Sequence, residues 1–103
     1  MSVPRPPPSL EKSGRRLWRS VVSTWLLDDR QLEILRLAAE ASDRVEQARE
    51  VLAAEGLTIR DRYDQVKPHP AAGIELQNRG LVARLLRELK LEPSGDDSRP
   101  ERT

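Results

Sequence analysis

The sequence predicts a mainly α-helical fold: an N-terminal helix, a long central helix, a short β-hairpin and a C-terminal helix. Three observations carry that expectation. Apolar residues recur at helical spacing in three separate segments. A capping-box pattern, Asp28 to Gln31, and a glycine, Gly56, bracket one long run of strong helix formers. After that run come a β-prone stretch with turn residues and then Pro68-His69-Pro70.

The elements follow in order. Residues 1–13 read as a flexible, basic, proline-rich arm, because Pro4, Pro6, Pro7 and Pro8 fix φ and lack an N–H, and Gly14 reads as its end. The first helix is expected from Arg15 to Leu26, with Trp18, Val21, Val22, Trp25 and Leu26 on one stripe. The second is expected from Asp29 to Glu55, about 40 Å long at 1.5 Å per residue. Along it Ala38, Val45 and Leu52 recur every seven residues, as do Ile34, Ala41 and Ala48, forming an alanine-rich, coiled-coil-like seam.

Leu57-Thr58-Ile59 and Val66-Lys67 are the expected strands of a hairpin spanning about residues 57–67. The last helix is expected from Ala71 to Leu91, with Ile74, Asn78, Leu81, Val82, Leu85 and Leu89 facing inward. Gly73 and Gly80 weaken that helix, which suggests close packing at both. Residues 14–91 form the single foldable domain, and residues 92–103 have the composition of a disordered tail.

Composition excludes several classes. There is no cysteine, so disulfides, thiol catalysis and cysteine zinc sites are out. No apolar run approaches the roughly 20 residues of a membrane span, and no secretory h-region is expected at the N-terminus. His69 is the only histidine, and between two prolines it reads as a turn or packing residue. Asp28 and Asp29 read as helix capping, and Asp61 and Asp64 as turn residues. The glycines are scattered singly, so no phosphate loop exists. No catalytic constellation, metal site or cofactor is expected.

Charge is uneven although the total is only +1. Residues 1–20 carry five cations (Arg5, Lys12, Arg15, Arg16, Arg19) against Glu11 alone, and residues 92–103 carry four acids against two arginines. Arginine grips phosphates bidentately, so the five cations are the candidate DNA-binding set, contacting the backbone without reading sequence. The seam residues Ala38, Ala41, Val45, Ala48 and Leu52, with Trp18 and Trp25, are the candidate oligomerisation set. The seam also suits an intramolecular core.

In this order the segments resemble the phage terminase small subunit family. The matching residues are Gly14-Arg15-Arg16-Leu17-Trp18-Arg19, Leu27-Asp28-Asp29, Ser42-Asp43-Arg44, Glu55-Gly56-Leu57-Thr58, Asp61-Arg62-Tyr63, His69-Pro70-Ala71 and Arg84 to Leu91. The resemblance spans about residues 10 to 92. It implies a non-catalytic, ring-forming subunit that engages double-stranded viral DNA in the cytoplasm of a bacterial host. It also implies recruitment and regulation of a large terminase subunit carrying the ATPase and nuclease, with the tail a candidate docking segment.

Two departures stand out against the family pattern. Lys90 occupies a position where relatives often have glycine, so a different helix end is expected. No separate N-terminal DNA-reading domain is expected in a chain this short, so loose, salt-sensitive binding is expected. Two other functions suit the same residues: a helical adaptor with no nucleic-acid role, and a small dimeric DNA-binding regulator.

Overall fold

The computed structural model describes residues 3–91. It contains three helices, α1 (Lys12–Val22), α2 (Asp29–Glu55) and α3 (Pro70–Leu89), and two strands, β1 (Thr58–Arg60) and β2 (Val66–Pro68). The expected element order and the mainly helical class are those observed. The expected tail, residues 92–103, lies outside the described residues.

α2 begins and ends on local signals. The Asp28 carboxylate accepts from the Gln31 N–H at 2.7 Å, and the Gln31 side-chain oxygen accepts from the Asp28 N–H at 3.0 Å. This satisfies two otherwise orphaned donors. At the other end Gly56 takes φ +88°, a conformation open to glycine and strained for other residues, while its N–H donates to the Leu52 carbonyl.

β1 and β2 pair antiparallel, with Thr58 opposite Pro68, Ile59 opposite Lys67 and Arg60 opposite Val66. Pro68 belongs to the ladder, one residue beyond the expected hairpin. His69 N–H donates to the Leu57 carbonyl and Asp61 N–H to the Gln65 carbonyl, so by alternation Ile59 and Lys67 are the hydrogen-bonded pair. Pro68 therefore stands where no inward N–H is needed.

The turn is closed by Asp61, whose carboxylate accepts from Tyr63 and Gln65 N–H groups and pairs with Lys67 at 3.2 Å. These hydrogen bonds, Gln65 foremost, hold its carboxyl below the ordinary range.

His69 caps α3. Its Nδ1 accepts from the Ala71 N–H at 3.0 Å, which leaves Nε2 to donate to Glu55, 2.8 Å away. The packing role read from the sequence is thus a specific one. α3 stops at Leu89, two residues short of expectation, and Lys90 takes the left-handed conformation at φ +53°. A glycine would sit there without strain, so the lysine changes the cost of the helix end and not its geometry.

α3 runs antiparallel along α2. Arg49 pairs with Glu75 at 3.0 Å, Arg44 donates to Asn78 at 2.8 Å, and Gln31 donates to the Leu89 carbonyl at 3.1 Å. Burial disfavours the Glu75 carboxylate, but Arg49 and Arg79 outweigh it and hold its carboxyl below the usual range. α1 lies over the first half of α2. The core gathers Leu10, Trp18, Val21, Val22, Leu35, Ala38, Ala39, Leu85 and Leu89, with Leu35 and Leu89 its largest fully enclosed side chains.

Because α1 reaches only half of α2, the other end of the molecule is two helices thick. Ile74, expected to face inward, is 47% exposed there. Gly73 and Gly80, expected at close contacts, have no heavy atom within 4 Å of a built Cβ.

Candidate nucleic-acid interface

The placement of α1 is set by one buried carboxylate. Glu11 is the N-cap by position but its side chain makes no capping bond. Asp43, from the middle of α2, takes that role: Oδ2 accepts from the Glu11 N–H at 2.8 Å and Oδ1 from the Gly14 N–H at 2.6 Å. A negative group at the N-terminal end of a helix satisfies orphan donors and opposes the dipole. Ser13 and Ser42 hydroxyls meet beside it at 2.7 Å.

Gly14 permits this approach. A Cβ there would lie 2.5 Å from Asp43 Oδ2 and 2.7 Å from the Ala39 carbonyl oxygen. The residue read as the end of the arm is the third residue of α1, and α1 starts at Lys12 instead of Arg15 for this reason. The helix also ends early, at Val22, with Trp25 and Leu26 in the connection to α2.

The segment before α1 folds back on it. Leu10 is in the core at 2% exposure, and the Trp18 indole N–H donates to the Pro4 carbonyl at 3.0 Å. Arg15 donates to the Pro8 carbonyl at 3.3 Å. The boundary drawn at residue 13 therefore falls inside α1, and residues 4–10 lie along it.

With α1 held so, Lys12, Arg15, Arg16 and Arg19 fall at i, i+3, i+4 and i+7 and are all exposed. They line one shallow depression of about 520 Å³. Arg5 joins Arg15 and Arg19 around a second of about 640 Å³, with Val3, Pro4, Pro6, Val22 and Ser23. The structure thus brings together all five cations of the candidate DNA-binding set. Among the described residues no ion pair engages any of them, whereas Arg36, Arg49, Arg60, Lys67 and Arg79 are each paired with an acid. On the far side Lys12 and Arg16 border a cavity lined also by Glu11, Glu46 and Glu50, which bounds the positive face.

The candidate oligomerisation set is placed differently. Trp18, Ala38, Ala41, Val45 and Ala48 are buried within the single chain, and Trp25 and Leu52 are half-buried. The alanine seam is covered by this chain's own helices, which leaves Ala38 and Ala41 no surface for a second copy. Sequence reasoning missed Asp43, Gly14 and Leu10 as the groups that orient the basic face. The available signal was an aspartate one turn after Ala39, among the alanines of α2.

Among the described residues no group of three or more His, Asp or Glu could hold a metal ion, and no helix is long and apolar enough to cross a membrane. No curated protein and no solved structure matches the chain. The family model described as phage terminase, small subunit, matches residues 14–99 of the 103, and the chain belongs to that family.

Proposed function

We propose that the protein is the DNA-engaging, non-catalytic component of a phage packaging machine, acting in the bacterial host cytoplasm as a closed ring of identical subunits. In this reading it holds the double-stranded genome by phosphate contacts and delivers it to the large subunit that hydrolyses ATP and cuts DNA. The observation that carries the DNA assignment is the basic face: four cations of α1 with Arg5 beside them, in no ion pair among the described residues, on a helix oriented by a buried carboxylate.

Contacts of this kind are individually weak and carry no sequence information. Repeating them around a ring makes each later contact intramolecular, which multiplies avidity without any new chemistry. Assembly is supported by the apolar side chains the single chain leaves uncovered: Leu26 at 85%, Tyr63 at 72%, Leu57 at 69% and Leu76 at 60% exposure. Trp25 and Leu52 are the half-buried members of the candidate oligomerisation set and keep some accessible surface. The acidic tail, residues 92–103, is the proposed docking segment for the large subunit.

The test of assembly is the mass in solution. Light scattering on a sizing column is expected to give a discrete particle of several times 11.7 kDa, stable to dilution. A species of 11.7 kDa at all concentrations would rule out the ring.

A further inference from the structure

Trp18 is a core side chain with one polar atom to satisfy. It is buried in the cluster that holds Val21, Val22 and Leu35. A buried indole N–H needs an acceptor. The acceptor is the Pro4 carbonyl at 3.0 Å, 14 residues back along the chain.

The segment before α1 is built to supply it. A turn at Pro8-Ser9, closed by the Leu10 N–H on the Pro7 carbonyl at 3.1 Å, sends the chain back along α1. Proline at the second position of such a turn presets its φ. Pro4, Pro6, Pro7 and Pro8 have no N–H to satisfy, so the segment can lie on the helix as a strap bound through carbonyls. Arg15 donates to the Pro8 carbonyl, and Pro6 and Pro7 are half-buried. Leu10 ties one end of the strap into the core, and Trp18 ties the other.

Arg5 follows Pro4 directly and is exposed. It shares one depression with Arg15 and Arg19, and among the described residues no ion pair engages any of the three. Three cations repel one another, so charge is not what draws Arg5 to this place. The indole and the prolines hold it there against that repulsion.

We propose that Trp18 is the positioning residue for Arg5: its N–H fixes the strap on α1 and keeps the Arg5 guanidinium ready for a phosphate. The consequence for DNA rests on the DNA reading of this face; the strap itself does not. A contact made from a free arm must first order that arm, and fixing even one backbone residue costs about five- to thirtyfold in an equilibrium constant. One phosphate contact gains about tenfold at about 50 mM salt. An untied Arg5 therefore gains little, and a strapped one keeps most of its contact.

The test couples two measurements on the full chain. The sequence has no cysteine, so Val3→Cys gives a unique, exposed thiol beside Pro4 for a spin label. The label is expected to be immobilised in the parent and mobile in Trp18→Phe, which keeps an aromatic ring and loses the donor. Pro6→Gly with Pro7→Gly, which leaves the core intact, is expected to free it as well. In binding to duplex DNA at about 50 mM salt, Arg5→Gln is expected to cost about tenfold in the parent and about twofold in either strap variant. Arg16→Gln, at a residue held by α1 itself, should cost the same in all three backgrounds.

A label already mobile in the parent, or equally immobile in the parent and both variants, overturns the proposal whatever the DNA result. A freed label with the full cost of Arg5→Gln retained overturns the positioning role. Equal shrinkage of the Arg5 and Arg16 effects shows a general loosening of α1 and overturns it too. A strap that behaves as expected in a chain that never binds DNA strikes the DNA reading and upholds the hold of Trp18 on Arg5.

Discussion

Replacing Arg15, Arg16 and Arg19 together by Glu is expected to lower affinity for double-stranded DNA by about two orders of magnitude or more at low salt. Each substitution removes one phosphate contact and adds a repulsive charge at the same place. The dependence of log affinity on log salt should flatten by about three, one for each lost contact, at roughly 0.9 per phosphate. The fold should be almost unaffected, because all three side chains are exposed and none is ion-paired among the described residues. Mobility shifts at several salt concentrations, with circular dichroism as the folding check, decide the matter. Unchanged affinity in a folded triple variant would remove α1 as the interface.

The second large effect is structural. Asp43→Ala is expected to destabilise the protein by about 2–4 kcal/mol, measured by urea or thermal unfolding. It strips the acceptor from two backbone N–H groups, those of Glu11 and Gly14, the latter buried. Asp43→Asn keeps one acceptor oxygen and should cost less. Gly14→Ala approaches the same contact from the other side. Its Cβ would lie 2.7 Å from the Ala39 carbonyl oxygen, and backbone cannot swing aside as a flexible side chain can. A cost of about 1–3 kcal/mol is expected from such overpacking.

Both changes should also weaken DNA binding more than an equally destabilising change at Leu85, because they shift the helix that carries the cations. Stability within about 0.5 kcal/mol of the parent for Asp43→Ala would show that α1 is held by its apolar face alone.

Legibility tracked how local each signal is. Both ends of α2 were readable because the capping box at Asp28 and Gln31 and the positive φ of Gly56 lie within one turn of the helix they bound. The hairpin was readable for the same reason, its turn closed by Asp61 through neighbours two and four residues on. α1 was not, because its cap comes from Asp43, 29 residues beyond Gly14. Without that carboxylate in view Gly14 looks like the end of the proline-rich arm rather than the third residue of a helix.

The seven-residue recurrence of alanine established that some helix packs closely against α2. It could not say whose, and α3 of the same chain supplies part of the answer. Ile74, Gly73 and Gly80 misled in a related way. Periodicity assigns a face, but how far α1 extends over α2 decides whether that end of the face is covered. The basic set survived these errors because exposed cations at i, i+3, i+4 and i+7 need only a helix, wherever its first residue falls.

The central claim is electrostatic engagement of DNA by the face of α1, and a salt titration of the unmodified full chain on duplex DNA tests it most directly. Five contacts per copy, four from α1 and one from Arg5, predict a log–log slope of about −4.5 or steeper, with little difference between unrelated sequences of equal length. Absence of binding at about 50 mM salt, or binding that salt leaves unchanged, would contradict it.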